Sequence, residues 1–193
     1  MSASAEHQTV TASGTAETAT VDLGELEAAS KQVAAAAKQM ESGEGVEPTD
    51  PDVLKAYLPA AVAGYSRTEV TTGSGGAGGM SGSSANGVYS KGDARLRLSV
   101  TDLGGAGALV GMAGAFNVKS STESEGRYEK IGKIEGRMTQ EAYDTAAKHG
   151  EYSVMVADRF MIAAEGDGVS MAELKAAVAA VGVSRLESLA KRG

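Results

Sequence analysis

The chain of 193 residues has no cysteine and no tryptophan, and its 25 acidic residues outnumber 18 basic ones for a net charge of -7. Without a thiol there is no disulfide framework, no thiolate metal site and no cysteine nucleophile. The acid excess lies in residues 1–50, which hold nine acids and two bases, whereas residues 51–193 balance at 16 of each sign. Neither part concentrates the basic surface that a phosphate backbone requires, so nucleic acid is excluded as the expected partner.

Residues 1–50 read as an acidic disordered leader. They are rich in Ser, Thr, Ala and Glu, with little that is large enough to bury. Within them Leu23, Leu26, Ser30, Val33, Ala37 and Met40 recur at steps of three and four, which predicts a separate helix at about 22–41. The stretch ESGEGVEPTD then reads as a linker. No apolar run approaches the roughly 18 residues that cross a bilayer. The first residues, MSASAEHQTV, lack the basic and apolar parts of a signal peptide.

A single α+β domain is expected over residues 51–193. Asp50 is placed as an N-cap with Pro51 at the first helical position, and Pro59 is the expected stop of that helix. The period then changes to two. In ARLRLSVT, Leu96, Leu98 and Val100 face one way and Arg95, Arg97, Ser99 and Thr101 the other, the pattern of a half-buried strand. EYSVMVADRFMIAAEG predicts a hairpin turning at Asp158 and Arg159. Weaker strands are predicted at 65–72, 85–90, 118–124, 128–134 and 137–144. Two helices close the chain. The first has a Ser170–Glu173 capping box, a stripe of Met171, Leu174, Val178 and Val181, and Gly182 as its stop; the second repeats the box with Ser184 and Glu187. Successive short strands followed by helices predict a mostly antiparallel sheet covered on one face by the C-terminal helices.

Two glycine-rich runs bear on function. In TTGSGGAGGMSG, Gly73, Gly75 and Gly78 have the spacing of a dinucleotide fingerprint, and Asp93 lies about 20 residues on. The following GGMSGSSANGVYSKGD carries no apolar helical stripe, so a hairpin tip is the stronger reading and no cofactor is expected. The second run, LGGAGALVGMAGAF, is uncharged. Close packing of a short helix explains it blandly. Its sharper reading is a ligand or partner contact made by Leu109, Met112 and Phe116, which share a face at helical spacing.

Catalytic and metal constellations are sparse. His7 falls in the leader and His149 in an expected turn, so neither a histidine pair nor a triad of Asp144, His149 and Ser153 is supported. Glu165, Asp167 and Glu173 lack the dense alternation of a calcium loop. IEGR at 134–137 matches a protease recognition tetrapeptide and falls inside a strand pattern.

LPAAVAGYSRTEV, YSKGDARLRLSVTDLG and the long stretch from YEKIGKIEGR to AELKAAV, behind an Ala/Glu/Lys-rich helix, resemble a type of uncharacterised bacterial envelope protein over about residues 22–190. Such proteins are often lipid-anchored behind an N-terminal signal. The resemblance implies an exported, non-catalytic domain without an assigned activity and with an anchor upstream; no catalytic residues are implied. A neutral domain behind an acidic tail with no catalytic set is read as a periplasmic, non-enzymatic interaction or carrier domain, with an unknown protein or a hydrophobic ligand or lipid as partner. The sequence departs from that pattern in lacking the signal and the lipid-bearing cysteine. The alternative is a cytoplasmic enzyme with a phosphate- or nucleotide-binding glycine loop.

Overall fold

A computed structural model of the protein describes residues 46–77, 80–104 and 120–192. The leader, the helix predicted at 22–41, His7, Gly78 and the apolar run from residue 105 to 119 lie outside the described residues.

The described strands are β1 (Ala61–Val62), β2 (Tyr65–Ala77), β3 (Met80–Lys91), β4 (Ala94–Asp102), β5 (Ser120–Ser124), β6 (Arg127–Ile134), β7 (Arg137–Asp144), β8 (His149–Val156) and β9 (Phe160–Asp167). They form one sheet in the order β1-β2-β3-β4-β9-β8-β7-β6-β5, with every neighbouring pair antiparallel. Two meanders, β1–β4 and β5–β9, are joined at the centre by β4 and β9. Among the described residues three helices accompany them: α1 (Pro51–Lys55), α2 (Met171–Ala180) and α3 (Val183–Ala190). The coarse expectation of an α+β domain with an antiparallel sheet therefore holds.

Period-two patterning puts the core on one face of the sheet. Leu96, Leu98 and Val100 of β4 are buried beside Phe160, Ile162 and Ala164 of β9 and Tyr152, Val154 and Val156 of β8. Leu174, Ala177, Val178 and Val181 from α2, Leu186 from α3 and Leu54 from α1 complete the same cluster. Fully burying each large aliphatic side chain contributes about 1.5–3 kcal/mol. Gly150 shows why a glycine occupies the middle of this face. A Cβ there would come within 2.5 Å of the Tyr143 ring and 3.0 Å of Leu174. Its absence lets the ring lie across β8 while the Tyr143 hydroxyl donates to the Val169 carbonyl at 2.7 Å.

Several local expectations need correction. The helix after Asp50 ends at Lys55, not at Pro59. Asp50 does cap it, accepting from Asp52 N at 2.8 Å, but the next amide protons bond three residues back, from Ala56 to Val53 and from Leu58 to Lys55. Leu58 precedes Pro59, whose ring disfavours helical backbone there. His149 is not in a turn; it opens β8. The IEGR stretch is not continuous strand, because Glu135 and Gly136, at φ 51° and 78°, form the two-residue turn between β6 and β7. The turn between β8 and β9 includes Ala157 and Asp158 at positive φ, and Arg159 points inward. Ser170 and Glu173 make both bonds of the predicted capping box. Ser184 makes none: α3 starts two residues earlier than a Ser184 cap would place it, with Gly182 as its N-cap at φ 83°.

Candidate functional site

On the face of the sheet away from the described helices, near one end of β5–β9, lies a cup of about 640 Å³. Strand register assembles its walls. Arg127 pairs across with Asp144, Asp144 with His149, and His149 with Asp167, so these four side chains share one face of four adjacent strands. Thr122 and Ser124 of edge strand β5 and Glu129 and Glu151 of β6 and β8 line the remainder. Four carboxylates face one guanidinium and one imidazole, which makes the cup acidic.

Most of these groups are already engaged. Arg127 Nε donates to Asp144 Oδ2 at 2.5 Å, and Asp144 Oδ1 accepts from the Ala146 and Ala147 amides at 2.9 and 2.8 Å. The Ala147 amide first, and Arg127 next, hold the Asp144 carboxyl below the usual carboxylate range. His149 Nδ1 lies 2.9 Å from Asp167 Oδ1, and Gln140 Nε2 donates to Glu129 Oε1 at 3.1 Å. The imidazole of His149 thus has Asp167 as its carboxylate partner. Asp144 serves Arg127 and the turn, and Ser153 lies four residues beyond His149 on β8, opposite Gln140 and Ala163. No oriented Ser-His-Asp relay is built from these three.

The other sequence candidates disperse. Glu165 pairs with Arg97 at 3.2 Å, and Glu173 with Lys91 at 3.0 Å. No group of three or more His, Asp or Glu side chains among the described residues is placed to hold a metal ion. Gly73 and Gly75 lie in β2, with nothing within 4 Å of where a Cβ would be, and the chain continues as strand β3 instead of opening a helix. Among the described residues, then, the run opens no helix N-terminus for a phosphate. Leu109, Met112 and Phe116 fall in the connection from Gly104 to Ser120, outside the described residues. That connection joins the central strand β4 to the edge strand β5, five places across the sheet, or about 24 Å at the usual strand spacing.

One polar cluster was missed in the sequence. Asp102, at the end of β4, is fully buried and takes three hydrogen-bond contacts from Arg159, at 3.1, 3.2 and 2.9 Å. Thr49 N and Oγ1 donate to the same carboxylate at 2.8 and 2.7 Å, and Gly104 N at 2.8 Å. Burial alone would raise the Asp102 pKa, but the bonds from Arg159, Thr49 and Gly104 outweigh it and hold the carboxyl below its ordinary value. The signal was present in the strand periodicity: Leu96, Leu98, Val100 and Asp102 fall on one face.

Fold and site together define an antiparallel α+β domain whose sheet is covered by the described helices on one face and carries an acidic cup on the other. Comparison with protein-family models, with curated proteins and with solved structures finds no match. No helix among the described residues is long and apolar enough to cross a membrane.

Proposed function

We propose that this protein is a non-enzymatic interaction or carrier domain of the bacterial cell envelope, binding a protein partner or a hydrophobic ligand. The cup carries this reading. It is open and roomy, its Arg127–Asp144 and His149–Asp167 pairs are taken up with one another, and its surplus carboxylates offer a docking surface for a cationic or hydroxyl-rich partner. Edge strand β5, whose Thr122 and Ser124 line the cup, directly follows the apolar connection that carries Leu109, Met112 and Phe116. The acidic leader serves as a tether to the envelope.

Met112→Asp tests the apolar half of the reading. Binding to lipid vesicles or to a hydrophobic fluorescent probe is expected to fall at least tenfold while the melting temperature is unchanged. A variant that melts normally and binds every apolar probe like the parent removes the hydrophobic-ligand version and leaves a protein partner. Fractionation of cells producing the natural gene product tests the location: recovery in the cytosol would overturn the envelope assignment.

A further inference from the structure

Asp102 and Ser83 pair across β4 and β3 at the end of the sheet opposite the cup, and Arg159 reaches Asp102 from the turn before β9. Residues 46–50 lie over these groups as an extended strap. Arg159 Nη2 donates to the Glu47 carbonyl at 3.0 Å, Ser83 Oγ donates to the Thr49 carbonyl at 2.5 Å, and the Thr49 amide and hydroxyl both donate to Asp102. The contacts read a peptide backbone and a single hydroxyl. The strap itself buries nothing: Val46, Glu47 and Asp50 are exposed, Pro48 and Thr49 half-buried, and none belongs to the hydrophobic core.

The groups beneath the strap also have partners outside it. Asp102 accepts from Arg159 Nε and Nη2 and from Gly104 N, and the Arg159 carbonyl accepts from the Leu103 amide, bonds in which residues 46–50 take no part. Gly104 is fitted to the crossing chain, since a Cβ there would stand 2.6 Å from the Ser81 carbonyl and 3.0 Å from that of Val46. Preformed and buried donors and acceptors that lose their partners when a polar strap leaves favour refilling by the same chemistry. The hinge is at hand as well, because Asp50 and Pro51 fix the start of α1 immediately after the strap.

We propose that Asp102, Arg159 and Ser83 form a docking slot for an extended, threonine-bearing peptide, filled in cis by residues 46–50 and in trans by the same strap of a second copy. Exchange of such arms joins two copies through contacts that each already makes with itself. The cup takes no part, since it lies at the other end of the strands.

The test uses the full chain and a fluorescently labelled ten-residue peptide, GEGVEPTDPD, the sequence of residues 43–52. In the wild type the tethered strap competes at an effective concentration on the order of millimolar, so little peptide binds. Thr49→Glu sets a second carboxylate against Asp102 and expels the strap. That variant is expected to melt in one cooperative transition and to bind the peptide saturably, at least tenfold more tightly than the wild type, with Thr49→Val intermediate. A peptide carrying valine for its threonine is expected to bind at least tenfold more weakly. The proposal is overturned by a cooperatively melting Thr49→Glu chain that binds no peptide, or by equal binding of the valine peptide. It is equally overturned if Thr49→Glu abolishes cooperative melting, because strap and core would then be a single unit.

Discussion

Truncating Asp102 to alanine leaves the Arg159 guanidinium buried without its carboxylate, and removing one partner of a buried pair costs about 3–5 kcal/mol. Urea unfolding is expected to show that loss. Arg127→Ala, which breaks a pair whose arginine is largely solvent-exposed, should cost less than about 1 kcal/mol. The same scale governs the acid response. The Ser170 amide first, then the Lys91 ammonium and the Ser170 hydroxyl, hold the Glu173 carboxyl at about 2 against the burial that would raise it. A carboxyl depressed in the folded state contributes stability that is complete above its unfolded value and is lost as pH falls through its folded value. Glu173 therefore supports the fold above about pH 4.5 and ceases to do so near pH 2, and Asp102, also depressed, acts in the same direction. The melting temperature of the wild type is expected to fall more steeply over that window than that of Glu173→Gln. Equal slopes would show that the Glu173 bonds contribute nothing to folding. Added salt is expected to shrink the difference, since the side chain keeps about a quarter of its exposure.

At the scale of elements, two serines that look alike in sequence are expected to separate in experiment. Ser170 accepts from the Glu173 amide at 3.3 Å while Glu173 Oε2 accepts from the Ser170 amide at 2.9 Å, so Ser170→Ala should cost about 1 kcal/mol. Ser184 sits inside α3 and makes no cap bond, and its alanine variant should match the wild type within about 0.5 kcal/mol. The reason lies in Gly182, which at φ 83° ends the first helix and starts the next, so the second box never reaches a free N-terminus. Glu187, the expected other half of that box, instead accepts from Arg137 Nε and Nη2 at 3.0 and 2.8 Å and ties α3 to β7. Gly150→Ala places a methyl group against the Tyr143 ring and should destabilise by about 1–3 kcal/mol, as overpacking does. Hydrogen exchange in β7 and β8 would localise that effect.

On the scale of the whole molecule, the strap ties the residues before α1 to the sheet. A chain starting at Val46 is expected to melt within a few degrees of the full chain, whereas one starting at Pro51 loses the bonds to Asp102, Arg159 and Ser83. It should melt about 5–10 °C lower, equivalent to roughly 2 kcal/mol for a domain of this size. A Pro51 start that melts like the full chain would show those bonds to be energetically idle. Much of the architecture was determined by the sequence alone, because alternation in ARLRLSVT, the Phe160–Ala164 arm, the Asp50 cap and the Ser170–Glu173 box are local signals of backbone geometry. The strands over 128–134 and 137–144 were legible for the same reason. Tertiary structure alone decided which strands are neighbours, since β4 meets β9 across the whole of β5–β8 and no local pattern encodes a partner so far along the chain. It also decided the two polar sites. The cup exists because register aligns Arg127, Asp144, His149 and Asp167 from four strands. Asp102 finds Arg159 57 residues away and Thr49 53 residues away, so a charge that reads as a strand-end acid or an exposed turn becomes a buried pair only when the sheet closes. Side-chain chemistry is written in the residues, whereas the distances that give it a role arise from long-range pairing.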